Sequence, residues 1–259
     1  MEVHHHPHVS KHAKPWKEYL LEGLMIFIAV TLGYGAENIR EHYVETKKAL
    51  ISAKNLYLDV TYDSIGYKNT KSRRGKQDSC FAVLNTFYNN NTLDKEIPAI
   101  YAAHGYIALR NLYQMNTLAL DEVKNSGALK FLESDELKAA IQRYASFGAG
   151  LKLREQREFG YIDRMLDPIS TKNFEFNFYR TAPYNFLIEN NNIIITMPIP
   201  ANLKIMKKDQ LDWDNYIAVM GMLQTIRQST DKEYIEPSQK QCHELLTLLR
   251  NYLIKHDAL

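Results

Sequence analysis

Five histidines crowd the start of the chain: His4, His5, His6, His8 and His12. Imidazoles at this density suit Zn²⁺, Ni²⁺ or Cu²⁺. Their spacing is not that of a fixed structural site and no cysteine joins them, so composition alone supports a metal role. The same residues also read as a weakly basic tail with incidental metal affinity. Three histidines followed by Pro-His do not resemble an ordinary purification tag. Asp59 and Asp63 stand four residues apart, on one face of a helix. Paired carboxylates can do acid–base or metal work, but a solvated helix face is the commoner meaning of that spacing. Glu22 lies inside a long apolar run, where an ionisable group is a functional candidate by default; snorkelling to lipid headgroups, or protonation, accounts for it equally. His42, His104, His243 and His256 are scattered and read as core or surface residues. The chain has no Gly-rich phosphate loop, H-E-x-x-H, G-x-S-x-G or C-x-x-C. The motifs therefore argue against an enzyme and call for no cofactor.

The element that would position these groups is Tyr19–Ala36, YLLEGLMIFIAVTLGYGA. From Leu20 to Ala36 the only charged residue is Glu22. Such a helix rises roughly 25 Å, a little short of a hydrocarbon core of about 30 Å. Trp16, Tyr19 and Tyr34 suit the interfaces. Gly33-Tyr34-Gly35 loosely mimics a signal-peptide cleavage site. The long segment before the run, and the helical pattern continuing past Ala36, favour a membrane span instead. Ala29 and Gly33 form a small-xxx-small pair, which lets two helices approach closely and supports a homo-oligomer or a helical partner.

Glycine (11) and proline (8) are scarce for 259 residues, which favours helix over turn-rich β structure. The net charge of +2 gives no sign of nucleic acid as a partner. Cys80 and Cys242 could form one disulfide in an oxidising compartment or remain two buried thiols; the sequence does not choose. Lys11, Lys14 and Lys17 on one side of the span nearly balance Arg40, Lys47, Lys48 and Lys54 on the other. Lys14 and Lys17 lie nearer the span than most of their rivals, so the tail is expected inside and the remaining chain outside.

Past the span, 37–65 is expected to continue the same helix. Val44, Ile51, Leu58 and Ile65 recur every seven residues with Tyr62 joining them, a stripe expected to pack into a bundle. The basic run Lys68–Lys76 reads as a loop between helices or an anion-binding patch, followed by a second helix over Lys76–Tyr88 that ends at Asn89-Asn90-Asn91. Helices are expected over Ile97–Asn116 and Thr117–Asn125, the latter closed by Ser126-Gly127. Ser134-Asp135-Glu136 is a helix start. Leu137, Ile141, Tyr144, Gly148 and Leu151 give that helix an apolar stripe, with a stop expected before Pro168. Residues 169–206 read as an irregular excursion with one small hairpin near Ile193–Met197, where a partner could dock or the chain could simply pack. Trp213, Tyr216, Ile217, Met220, Leu223 and Ile226 form one closing helical stripe; Cys242, Leu245, Leu246, Leu249, Tyr252 and Leu253 form another.

Three stretches resemble an uncharacterised family of single-pass bacterial membrane proteins common in the Bacteroidetes lineage: MEVHHHPH at the start, EYLLEGLMIFIAVTLGYGAENIRE (Glu18–Glu41) and LALDEVKNSGALKFLESDELKAAIQRY (Leu118–Tyr144). The resemblance implies inner-membrane anchoring with a helical domain in the periplasm, and it supplies no catalytic residues.

The expectation is an all-α chain: a His-rich cytoplasmic tail (1–18), a transmembrane helix (19–36), and an antiparallel helical bundle (37–259) with one irregular segment. Its expected partners are the lipid bilayer and a protein partner or second copy, with Glu22, Ala29 and Gly33 as intramembrane contacts. The expected role is that of an accessory or scaffolding protein. The alternative is a periplasmic ligand sensor or cytoplasmic metal sensor working with a separate transducer.

Overall fold

A computed structural model describes residues 15–110, 113–132 and 134–258. It is all-α, organised around one helix, α1 (Trp16–Asn89), of 74 residues. The helix ends where the polar asparagines begin: Asn91 takes a left-handed φ of 53°, a conformation that suits Asn. The remaining elements are α2 (Ile97–Ala108), α3 (Leu118–Asn125), α4 (Asp135–Tyr161), α5 (Asp167–Asn173), α6 (Phe176–Tyr179), β1 (Phe186–Glu189), β2 (Asn192–Ile195), α7 (Trp213–Thr230) and α8 (Glu236–Lys255).

Pairings along α1 fix the directions of the long rods. Tyr88 meets Asp214, Asp78 meets Gln224 and Lys71 meets Glu236, so α7–α8 runs antiparallel to α1. Asp63 meets Tyr144 and Arg74 meets Glu158, so α4 runs parallel to it. Two π-helical turns keep the partner rods continuous. Ile162–Leu166 joins α4 to α5 just before Pro168, and Asp231–Ile235 joins α7 to α8 just before Pro237. Proline lacks an N–H and its ring crowds the carbonyl four residues back. A widened turn ahead of it relieves that clash without ending the helix, which is why the expected stop at Pro168 is absent and the rod reaches Asn173.

Two apolar cores lie along the rods. The one nearer the chain's apolar tip holds Leu56, Val60, Ile141, Tyr144, Leu245 and Leu249; the distal one holds Val83, Leu84, Ile100, Leu166, Met220 and Leu223. The distal core is capped by the antiparallel hairpin β1–β2. Its turn residues Asn190 and Asn191 have φ of 50° and 60°, the two-positive-φ turn that fits the twist of paired strands. The hairpin expected near Ile193 is therefore present.

Three expectations are corrected. The basic run Lys68–Lys76 is not a loop, and no separate helix begins at Lys76. Both belong to α1, because Thr70, Arg74 and Gln77 face inward and tertiary packing outweighs the roughly 1 kcal/mol that Gly75 costs a helix. The helix expected over Ile97–Asn116 ends at Ala108, and 113–117 follow as an extended strap. Of the stripe Val44, Ile51, Leu58, Tyr62 and Ile65, Val44 is half-buried and the other four do not enter the bundle. Ile51, Leu58, Tyr62 and Ile65 are 54%, 48%, 66% and 54% exposed, while the buried line is Ala49, Ala53, Leu56, Val60 and Tyr67. In this core α1 buries Leu56, Val60 and Tyr67 beside the small Ala49 and Ala53, and α4 and α8 supply most of the other large side chains.

Candidate functional site

The first 20 residues of α1 carry no core contacts. Leu20, Met25, Phe27, Val30 and Leu32 are all exposed, on every side of the helix. An 18-residue window here has a mean hydropathy of 1.6 with none of it buried, so this is one helix long and apolar enough to cross a membrane. Glu22, Ala29 and Gly33 all lie exposed on it, and a Cβ built at Gly33 would meet nothing within 4 Å. The sequence places them on one side of the helix, and among the described residues no other element of the bundle packs on that side. The histidines His4, His5, His6, His8 and His12 lie outside the described residues. Among the described residues no cluster of three His, Cys, Asp or Glu side chains is arranged to hold a metal ion.

The Asp59/Asp63 pair is not a solvated face. Asp63 is fully buried. Its carboxylate accepts from the Tyr113 hydroxyl at 2.8 Å, from the Asn116 backbone N–H at 3.1 Å, and from the Tyr144 hydroxyl. Burial pushes its pKa up to about 6, against the pull of the Tyr113 and Asn116 donors. Asp59, half-exposed, accepts from Asn116 Nδ2 at 2.8 Å and from the Ala119 N–H at 3.2 Å. The latter is an orphan donor in the first turn of α3, so a neighbouring helix supplies the cap. Together the two carboxylates fasten the strap and the start of α3 to α1. Gly66 makes room for the strap, because a Cβ there would lie 2.2 Å from the Tyr113 ring.

Farther along α1, Arg74 donates to Glu158 at 2.7 Å and Arg227 donates to the other Glu158 oxygen at 2.8 Å, all three buried. Arg74 Nε also lies 3.1 Å from Asp231, a charge contact without hydrogen-bond alignment. Burial pushes the Asp231 carboxyl up to about 6 despite Arg74 beside it. Arg227 and Gln77 both donate to the Leu109 carbonyl, holding the end of α2. This network is hidden in the sequence, because Arg74, Glu158 and Arg227 are each separated by more than sixty residues and each reads alone as a surface charge.

A histidine–serine pair lies in the distal core. His104 Nε2 is 2.7 Å from Ser170 Oγ and Nδ1 is 3.2 Å from the Tyr216 hydroxyl. Ser170 already donates its proton to the Leu166 carbonyl at 3.0 Å. The consistent tautomer therefore places hydrogen on Nε2, which donates to Ser170, while Nδ1 accepts from Tyr216. Burial lowers the His104 pKa to about 3, so the ring is neutral. Stacked on Phe174 with ring centroids 4.3 Å apart, it works as a core tie: the proton that a general base would take is committed elsewhere.

Cys80 and Cys242 are free thiols, each buried in a different core, and burial pushes both up to about 12. A cavity of about 520 Å³ lies between the strap, α3 and α4, lined by Gln114, Met115, Lys124, Gly148, Lys152 and Glu155 among others. The irregular stretch that follows α6 presents Leu187, Ile194, Ile199 and Met206 to solvent, near Phe176 and Tyr184 in sequence.

The chain matches no protein-family model, and no curated protein and no solved structure aligns with it significantly.

Proposed function

We propose that this chain is a membrane-anchored accessory or scaffolding protein that acts through protein–protein contacts. The observation that carries the reading is the unbroken passage of α1 from an apolar segment exposed on all sides into the axis of a bundle. A free helix surface of that length and composition is costly in water and is covered at no cost by lipid. On this reading the protein sits in a bacterial inner membrane, with the tail 1–18 cytoplasmic and the domain 37–259 periplasmic. The resemblance of Glu18–Glu41 and Leu118–Tyr144 to Bacteroidetes-type single-pass proteins supports that orientation. The buried polar clusters read as internal fastenings, which fits a contact protein better than an enzyme. Resistance to alkaline carbonate extraction, together with protease accessibility of the domain only from the periplasmic face, is the expected result. Release into the supernatant would overturn the anchoring. Crosslinking and mass spectrometry on native membranes should then return a recurrent stoichiometric partner. The cavity beside the strap favours a second reading, a ligand sensor with a separate transducer. That reading expects a small molecule to co-purify and to raise the melting temperature.

A further inference from the structure

We propose that the outward stripe of α1, formed by Val44, Ile51, Leu58, Tyr62 and Ile65, is the docking face for a single amphipathic helix of a partner protein whose apolar anchors are flanked by acidic residues. The inference deepens the contact-protein reading above and rests on it.

The stripe is a built feature. Its seven-residue repeat is carried by a helix whose opposite side is fixed in the core by Ala49, Ala53, Leu56 and Val60, so the apolar row cannot rotate inward. Exposed rows of large apolar side chains on one face mark interaction sites. From Val44 to Ile65 the row runs for roughly 31 Å, the length of a helix of about 20 residues. Recognition by i, i+4, i+7 anchors is the mode such a row offers.

Charge selects the occupant. At ~100° per residue, the side chains within about 60° of Ile51 around the axis can be read off between Val44 and Lys76. They include Lys47, Lys48, Lys54, Arg73 and Lys76, and no Asp or Glu. The nearest acids between Val44 and Lys76 both lie to one side of the row and are engaged: Glu45 pairs with Lys48 at 2.7 Å, and Asp59 accepts from Asn116 and Ala119. With Lys48 already paired to Glu45, Lys47 and Lys54 remain as basic neighbours of the row, and an acid-bordered helix complements them.

Two other occupants fit worse. A second copy anchored in the same bilayer would run parallel, setting Lys47, Lys48 and Lys54 against their own equivalents. It would also meet the distal lobe, which overhangs this side: Lys76, on the stripe's face, packs over the rings of Tyr106 and Phe186. The bilayer itself is too far away. Leu58 lies 22 residues beyond Ala36 on one continuous helix, roughly 33 Å along the axis.

The test uses the full chain in nanodiscs of zwitterionic lipid. The probe is a labelled model helix of about 20 residues, with leucines at i, i+4 and i+7 and glutamate flanks, beside a twin with lysine flanks. The glutamate probe should bind, weakening as salt rises. Binding should fall ~tenfold or more for the lysine twin, for Leu58→Asp, and for Lys47→Glu combined with Lys54→Glu. These side chains are exposed, so circular dichroism should show each variant folded. No binding by either probe, equal binding of the two, or indifference to both variants would overturn the proposal. So would an Ile51→Cys disulfide between copies in native membranes, which would assign the face to a second copy. Anchoring is decided separately by alkaline extraction: failure there sinks the broader reading even if the probe binds, and failure of the probe leaves anchoring untouched.

Discussion

Glu158 and Asp63 are both carboxylates sunk in the bundle, and the protein neutralises them in opposite ways. Glu158 lies between two guanidiniums, Arg74 and Arg227, each giving it a charge-assisted hydrogen bond. Asp63 has no cation beside it among the described residues. It is surrounded by two tyrosine hydroxyls and one backbone N–H, which satisfy its lone pairs without cancelling its charge. Geometry is complete in both places, but only a countercharge offsets the desolvation of an ion. The first site is therefore a fixed joint between three rods, while the second is a joint whose strength depends on proton concentration.

Breaking the charged joint should have the largest effect. Glu158→Gln leaves two buried guanidiniums with Asp231 and Asp78 as the neighbouring acids. It should cost about 3–5 kcal/mol, read as a drop in the thermal or denaturant midpoint of the full chain in detergent. The uncharged joint predicts a pH signature instead. The folded pKa of Asp63, about 6, stands above the ~3.9 of an unfolded aspartate. The folded state therefore binds the proton more tightly. The group's stabilisation is fully present below about pH 4 and is lost as pH rises through about 6, with a span on the order of 3 kcal/mol. Asp63→Asn should flatten that part of the profile, leaving the same-signed contribution of Asp231. If wild type and variant have parallel profiles from pH 4 to 7, the contrast between the two acids fails.

A smaller perturbation separates the hydrogen bonds of the Asp63 joint from its packing. Gly66→Ala pushes against the Tyr113 ring and should cost about 1–3 kcal/mol. It should also raise amide exchange over 113–117 while leaving the Glu158 joint protected. Smallest of all is Leu58→Asp on the exposed stripe, expected to change stability by less than about 0.5 kcal/mol. A large loss there would mean that the stripe is packed within the chain after all.

What the sequence made legible follows one physical line. The stripes on α4, α7 and α8 are buried much as their spacing implied: Leu137, Ile141 and Tyr144; Tyr216, Met220 and Leu223; Cys242, Leu245 and Leu249. In those helices the largest apolar residues are also the ones the core needs. In α1 the two diverge. Its core side mixes Ala49, Ala53 and Gly66, which let neighbours approach, with Leu56, Val60 and Tyr67, while Ile51, Leu58, Tyr62 and Ile65 face outward, so hydrophobicity alone does not pick the face. Buried polar residues were illegible for a different reason. Asp63 reads as a surface acid until Tyr144, 81 residues on, is seen to donate to it, and Arg74 reads as part of a basic loop until Glu158 is in place. The candidate site residues Glu22, Ala29 and Gly33 share one exposed side of α1, and the metal-binding expectation for the histidines falls on residues outside those described.

The unbroken course of α1 also makes the protein a ruler. From Ala36 to Asn89 the helix spans roughly 80 Å, so on the anchored reading the hairpin end is held at a set height above the lipid. Any insertion between Ala36 and Val44 changes that height by ~1.5 Å per residue, and turns the stripe and the distal lobe together by ~100° per residue. Reach and bearing are therefore written into a single stretch of eight residues, and one cannot be altered without the other.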